Sequence, residues 1–457
     1  MSNKITVGFV GFGEVNTPRR LIEEKSAETI KAIESLGLAV RSTASVSDDP
    51  KGKECRQAVA ELKKLDFDLL IACVVGWIPS WAVIRTIEFF KDTPILLLGT
   101  TGENHSNRLV TTAAQAGTTA LRKVLEEMKF RFKHVVCRLG TSFPAREILS
   151  FARAARAIRK LRGSLIGVAG YRDMRLYVTG YDPISLKEKF GVEVEHFDLL
   201  ELFQLMEKMP EKEVKPWLEY LKKNWIFTRK PKVRTLQETI RLYLALRRKI
   251  EERNFAALSY SDVDGLKKLI GLSPAGALTL LHDTVKVCSI PEDDTPGALT
   301  QLITFYLTGQ VAAYLEFYEF TEKGTLMGVP DYVPKEIVDG RITVMPSSFG
   351  QFGEGLVNVS RLKTGRVTLV RLDKLGSEYT CHLVTGTGKS PRPWEEAGWA
   401  PPAPQLPGLE IDFDCDPEIF LQNVLGQHYI IAYGDFTQEY RDFSHLLAIR
   451  FVKEQSR

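Results

Sequence analysis

The chain has 457 residues, with 61 Lys and Arg against 57 Asp and Glu, a net charge of +4, 44% hydrophobic and 26% charged content. These proportions are those of ordinary globular protein, two to four domains by length, and so slight a positive balance argues against a nucleic-acid partner, which needs a concentrated basic face. The longest apolar run, Leu69 to Ile84, is broken by Gly76, Pro79 and two tryptophans, so no membrane span is expected.

Met1-Ser2-Asn3-Lys4 leads straight into a strand-like run, so a cytoplasmic chain without a secretory leader is expected. The cysteines (Cys55, Cys73, Cys137, Cys288, Cys381, Cys415) form no CxxC pair and read as buried free thiols, not a zinc site. Ile5–Phe12 reads as a strand, Arg20–Leu36 as a helix, Leu38–Ala44 as a strand and Cys55–Leu65 as a helix. Phe67–Val75 is a fully apolar strand, followed by helical Trp81–Phe90, a strand at Pro94–Gly99, a helix at Ala113–Met128 and a strand at His134–Leu139. Such alternation predicts a parallel sheet covered on both faces.

The pattern restarts with a helix at Pro144–Leu161 and a strand at Ser164–Gly170. Glu201 to Arg253 is dense in charge and reads as surface helices with solvated faces. A second α/β unit runs through strands at Phe255–Ser259 and Val285–Cys288. From about Gly340 short β-branched runs (RITVMPSS, LVNVSRL, RVTLVRL, EYTCHLVTG) predict antiparallel strands, and Pro391–Pro407 is a proline-rich loop. The expected fold class is therefore α/β: two doubly wound parallel-sheet (Rossmann-like) domains, at 1–162 and 163–310, then a C-terminal antiparallel β domain at 311–457.

Two phosphate-loop candidates fail. In VGFVGFGEVNTPRR, Gly11 and Gly13 are followed by Asn16 where a dinucleotide fingerprint has its third glycine, and the second strand ends in Val40-Arg41-Ser42 with no acid for a ribose. The glycines are read instead as allowing a tight βα turn. TGTGKS, Thr385 to Ser390, has Leu383 where a P-loop needs glycine, and Pro391 and Pro393 forbid a following helix, so it reads as a strand-end loop.

The informative stretch is CSIPEDDTPGALTQLITFYLTGQVAAYLEFYEF, Cys288 to Phe320. Glu292, Asp293 and Asp294 follow an apolar strand and precede a helical run, and Glu316 interrupts the next strand. A helix N-cap suits Asp293 or Asp294 well and Glu316 badly. His428 stands before the apolar strand of NVLGQHYIIAYGD; it is either a packed histidine or a ligand. Two carboxylates and an imidazole make a credible site for a divalent cation with positions open to substrate oxygens.

On these residues the chain resembles the L-fucose isomerase / L-arabinose isomerase family. The likeness lies in Glu292, the helical ALTQLITFYLTG, a second carboxylate 24 positions on at Glu316, and His428 in GQHYIIAYGD. GVAGYRDM, KFGVEVEHFDLLEL and the Trp-bearing loop GWIPSW extend it. The resemblance implies Glu292, Glu316 and His428 as ligands of one divalent metal, manganese or else magnesium or cobalt, completed by the C-terminal domain. It implies aldose–ketose isomerisation through a cis-enediol, with Glu292 and Glu316 as the catalytic carboxylates. It also implies a cytoplasmic homo-oligomer, trimer or hexamer, with a sugar substrate and active sites near subunit interfaces, to which the first βα turn lends an arginine. Arg19 or Arg20 matches that place, the alternative being first-turn surface residues. Trp77, Arg172 and Gln427 join them as sugar-facing candidates, as do Ser347 and Ser348, which are otherwise turn serines. This chain departs from the family in being shorter than typical L-fucose isomerases. It has Glu where the fucose branch has Asp, and VMPSSFG where the family carries a histidine. Several arginines in one pocket would suit a sulfonated or phosphorylated aldose. The rival reading is a sugar-binding protein that keeps the fold without the chemistry.

Overall fold

Fully apolar runs become inner strands of parallel sheets, because helices cover both faces. Leu69–Val74, buried at all six positions, is the middle of a five-stranded parallel sheet. Its order is Ala39–Ser42, Thr6–Phe12, Leu69–Val74, Ile95–Gly99, Phe132–Val136. The helices Arg19–Ser35, Lys53–Leu62, Ser80–Ile87 and Ala114–Glu127 lie between successive strands in the chain. The computed structural model describes residues 4–329, 332–348, 354–395 and 407–454. The chain divides into two units: Met1–Arg159 with Gln438–Ala448, and Lys160–Thr437 with Ile449–Arg457.

In the first unit the opening glycines do something other than turn the chain. Neither takes a left-handed φ. A Cβ at Gly11 would fall inside contact distance of Ser26 Oγ, and one at Gly13 would lie 2.8 Å from Ile22 Cδ1. They let the helix Arg19–Ser35 press against the strand Thr6–Phe12, which corrects the tight-turn reading. The unit also takes in most of the helix Thr437–Leu446, where Asp442 Oδ2 accepts from Lys133 Nζ (2.7 Å) and Ser150 Oγ (2.6 Å).

Among the described residues, the second unit holds three sheets. The first is parallel, in the order Cys288–Pro291, Ala257–Tyr260, Leu165–Ala169, Glu193–Phe197. The second joins Thr343–Ser348 and Glu354–Asn358 as an antiparallel pair. Each of these also runs parallel to a two-residue strand, Ile226–Phe227 or Leu272–Ser273. The runs RITVMPSS and LVNVSRL are thus strands as expected, but they pair with segments far upstream. The third sheet has the order Gly365–Leu375, His428–Tyr433, Ala313–Thr321, Gly324–Gly328, Gly408–Phe413, Glu378–Lys389, and Gly365–Leu375 pairs again with Glu378–Lys389. That last pairing closes six antiparallel strands into a barrel, with Arg450–Lys453 added parallel to Glu378–Lys389. Leu315, Met327, Leu369, Val384, Ile411 and Ile431 belong to its apolar core. Thr385–Lys389 continues the strand, so TGTGKS is mostly strand and not a loop.

The charged segment is corrected too. The helix Val233–Arg253 buries ten residues, among them Leu236, Ile240, Leu246 and Ile250. Lys249, in its charged tail, is buried in a pair with Glu201 at 2.6 Å. The proline-rich loop lies outside the described residues over 396–406. Among the described residues all six cysteines are free, and no helix is long and apolar enough to cross a membrane.

Candidate active site

The antiparallel register of the barrel sets Glu316 directly opposite His428. Residues facing each other across two strands project to one side, so the two side chains become neighbours. Glu292 arrives from the parallel sheet, on the turn after the strand Cys288–Pro291. Ligand sites of open α/β sheets lie at such carboxyl ends. Glu292 (φ 69°) and Asp293 (φ 50°) are both left-handed. Successive non-glycine residues in that region are strained and persist only when neighbours hold them. Asp294 then caps the helix Thr295–Thr308, accepting from Gly297 N at 2.9 Å.

The three predicted ligands converge. His428 Nδ1 lies 3.6 Å from Glu292 Oε2, and His428 Nε2 lies 4.0 Å from Glu316 Oε2. The carboxylates thus flank the imidazole, one at each ring nitrogen. No group of three such side chains stands at ligand spacing among the described residues. The donor chemistry itself fits a divalent cation: two carboxylates and one imidazole. Burial pushes the His428 imidazole down to about 3, so the ring is neutral and keeps a lone pair. Exposure grades across the trio, from 4% for His428 through 13% for Glu292 to 30% for Glu316.

The other predicted residues are more dispersed. Arg19, Arg20 and Trp77 belong to the first unit, the trio to the second. Arg19 donates to Ser45 O (2.7 Å) and pairs with Glu23 and Glu54, and Arg20 pairs with Glu24 (2.6 Å). Trp77 is 40% exposed. Arg172 is exposed, with its guanidinium 5.2 Å from the centre of the Tyr177 ring. Gln427 is half-buried, and its carbonyl accepts from Phe317 N at 3.1 Å. Ser347 and Ser348 lie on the strand Thr343–Ser348, but their side chains fall outside the described residues.

Behind the trio are residues the sequence reading missed. Arg371, 2% exposed, forks onto Asp294, 1% exposed, with Nη1 to Oδ2 at 2.6 Å and Nη2 to Oδ1 at 3.0 Å. It also donates to His428 O (3.3 Å) and Val178 O (3.1 Å). The Tyr314 hydroxyl donates to Asp294 Oδ2 (2.8 Å), while its ring stacks on His428 at 4.2 Å and 14°. Burial would raise the Asp294 carboxyl, but the Arg371 guanidinium, with the Gly297 N–H and the Tyr314 hydroxyl, outweighs it and holds the group below the usual range. One signal was available: Arg371 follows the apolar run Val367–Val370 of RVTLVRL, where a buried charge demands a partner. Asp173, Asp262 and Lys267 are likewise buried nearby in the chain's second unit, with Lys267 Nζ on Asp262 Oδ2 at 2.7 Å. Burial, then Asp173 and Asp262, push the Asp293 carboxyl up to about 8.

Residues 170–278 match the family model of the L-arabinose isomerase central domain, a segment that ends before Glu292. No curated protein is similar enough to the chain to count as a match. Among solved structures, the DNA-modifying enzyme β-glucosyltransferase aligns with 50% of this chain and 72% of its own, at 12% identity and a TM-score of 0.17, too low to carry an argument. The domain match supports the arabinose/fucose isomerase family at a coarse level, and with it a sugar isomerase.

Proposed function

We propose that the protein is a metal-dependent aldose–ketose isomerase that works through a cis-enediol, with Glu292, Glu316 and His428 holding one divalent cation. The convergence of these three side chains from two sheets is the observation that carries the reading. Manganese is the expected ion, with magnesium or cobalt as substitutes. When bound, it supplies Lewis-acid polarisation of the sugar oxygens and offsets enediolate charge.

The residues supply the proton transfers. Glu292, the more enclosed carboxylate, takes the proton from carbon 2 and returns it to carbon 1. A carboxylate shielded from water is less stabilised by solvent and better suited to attack a carbon acid. Glu316, more open to solvent, serves the hydroxyl protons on the two oxygens. His428, neutral and stacked on Tyr314, is held as a donor of electron density and is no proton carrier. A sugar substrate and a cytoplasmic homo-oligomer belong to the same proposal.

The test is solvent exchange. Protein supplied with manganese meets a panel of neutral and acidic aldoses in deuterated water, followed by NMR. Ketose formation with deuterium incorporation, both abolished by EDTA, is the expected result. No exchange with any sugar, in protein that holds manganese, would overturn the isomerase in favour of a sugar-binding protein. Glu292→Gln should lower turnover by about 100- to 10,000-fold with the fold intact; full activity in that variant refutes the mechanism.

A further inference from the structure

The three proposed ligands sit on separate segments, and one buried node touches all of them. We propose that Arg371, Asp294 and Tyr314 are positioning residues that set Glu292, Glu316 and His428 on one another; this rests on the metal-site reading above. Asp294 lies two residues after Glu292. Tyr314 lies two residues before Glu316 on the same strand, and therefore on the same face. Arg371 reaches the third segment through the carbonyl of His428, at 3.3 Å, and Tyr314 reaches it again through its stacked ring.

The node has more bonds than a helix cap requires. Capping uses Asp294 Oδ1 alone, for Gly297 N. The remaining capacity of both oxygens is taken by the Arg371 fork and the Tyr314 hydroxyl. A planar bidentate pair fixes angle as well as distance. Angle matters here because Glu292 and Asp293 are strained and need an anchor on each side. Asp293 N on Tyr260 O, at 3.1 Å, is one anchor, and the Asp294 carboxylate is the other. Two glycines make room for the node. A Cβ at Gly297 would lie 2.5 Å from Asp294 Oδ2, and one at Gly426 would lie 2.9 Å from both Arg371 Nε and Val178 Cγ2.

Two variants of the full chain separate positioning from plain scaffolding. Arg371→Lys keeps the charge and loses the fork. Tyr314→Phe keeps the stacked ring and loses only the hydroxyl. Manganese affinity is read from the free-ion signal in electron paramagnetic resonance titrations, beside thermal unfolding of the metal-free proteins. The expected result is about 10- to 100-fold weaker manganese binding in both variants, with Tyr314→Phe unfolding as the wild type does and kcat falling more than KM rises. Wild-type affinity in variants that fold would overturn the node while leaving the metal site standing. If Arg371→Lys does not fold, Tyr314→Phe decides alone. Weakened binding in the variants of a protein that isomerises no sugar would support the node and sink the isomerase. A wild-type protein that binds no manganese would overturn both.

Discussion

Buried ionisable groups are the residues most exposed to a change of pH or partner. His282 is 4% exposed and stacks on Tyr332, and burial pushes it down to about 4. The unfolded chain therefore binds a proton that the folded chain refuses between the ordinary histidine range near 6.5 and 4. Its contribution to stability is whole above that window and is lost as pH falls through it, by at most about 3 kcal/mol. Denaturant unfolding from pH 8 down to 4 should show a shallower loss in His282→Gln than in the wild type; parallel curves would refute the assignment. Arg371 has the opposite character, a permanent charge paired closely with buried Asp294 and, at 3.7 Å, with Asp373. Arg371→Met strands the Asp294 carboxylate and should cost about 3–5 kcal/mol in equilibrium unfolding. Residue-scale chemistry was partly legible in the sequence. Glu292, Glu316 and His428 were reached through motif and resemblance, and the structure brings them together. Arg371 was passed over because its partner Asp294 is 77 positions away and no local pattern joins them.

Elements were the most readable level. Alternating strand and helix through the first 170 residues follows from apolar runs between amphipathic stretches, and those elements form within a few residues of their expected ends. Among the elements that escaped were the two-residue strands Ile226–Phe227 and Leu272–Ser273, too short to carry periodicity. The charged helix Val233–Arg253 was mistaken for a wholly surface one because its charges alternate with a buried apolar stripe. The barrel makes a strict demand at its close approaches. A Cβ at Gly324 would fall within contact of the Ile411 carbonyl, a backbone atom that cannot rotate aside. Gly324→Ala should therefore destabilise by about 1–3 kcal/mol or more, and a variant as stable as wild type in urea would contradict the barrel's packing at this point.

The whole molecule separates into two units, and the three proposed ligands all lie in the second. A cation bound only by the folded second unit stabilises it by mass action, about 2.7 kcal/mol at a hundredfold excess over Kd. Calorimetry should show one transition moving upward with manganese while any transition of the first unit stays in place. In Glu316→Gln that movement should largely vanish; an equal shift in the variant would place the ion elsewhere.

The order of strands and helices, the apolar runs that become inner strands, and the residue types from which a metal site can be made are all readable along the chain. Those features are written in spacings of a few residues. That Gly365–Leu375 pairs with Glu378–Lys389 to shut a barrel, and that Glu316 stands opposite His428 in its register, comes from the folded chain alone. So does the buried arginine that ties the Glu292 turn to the His428 strand. The reason is physical: register, closure and buried charge pairing are settled by which distant segments exclude water together, and neighbouring residues hold no record of that choice.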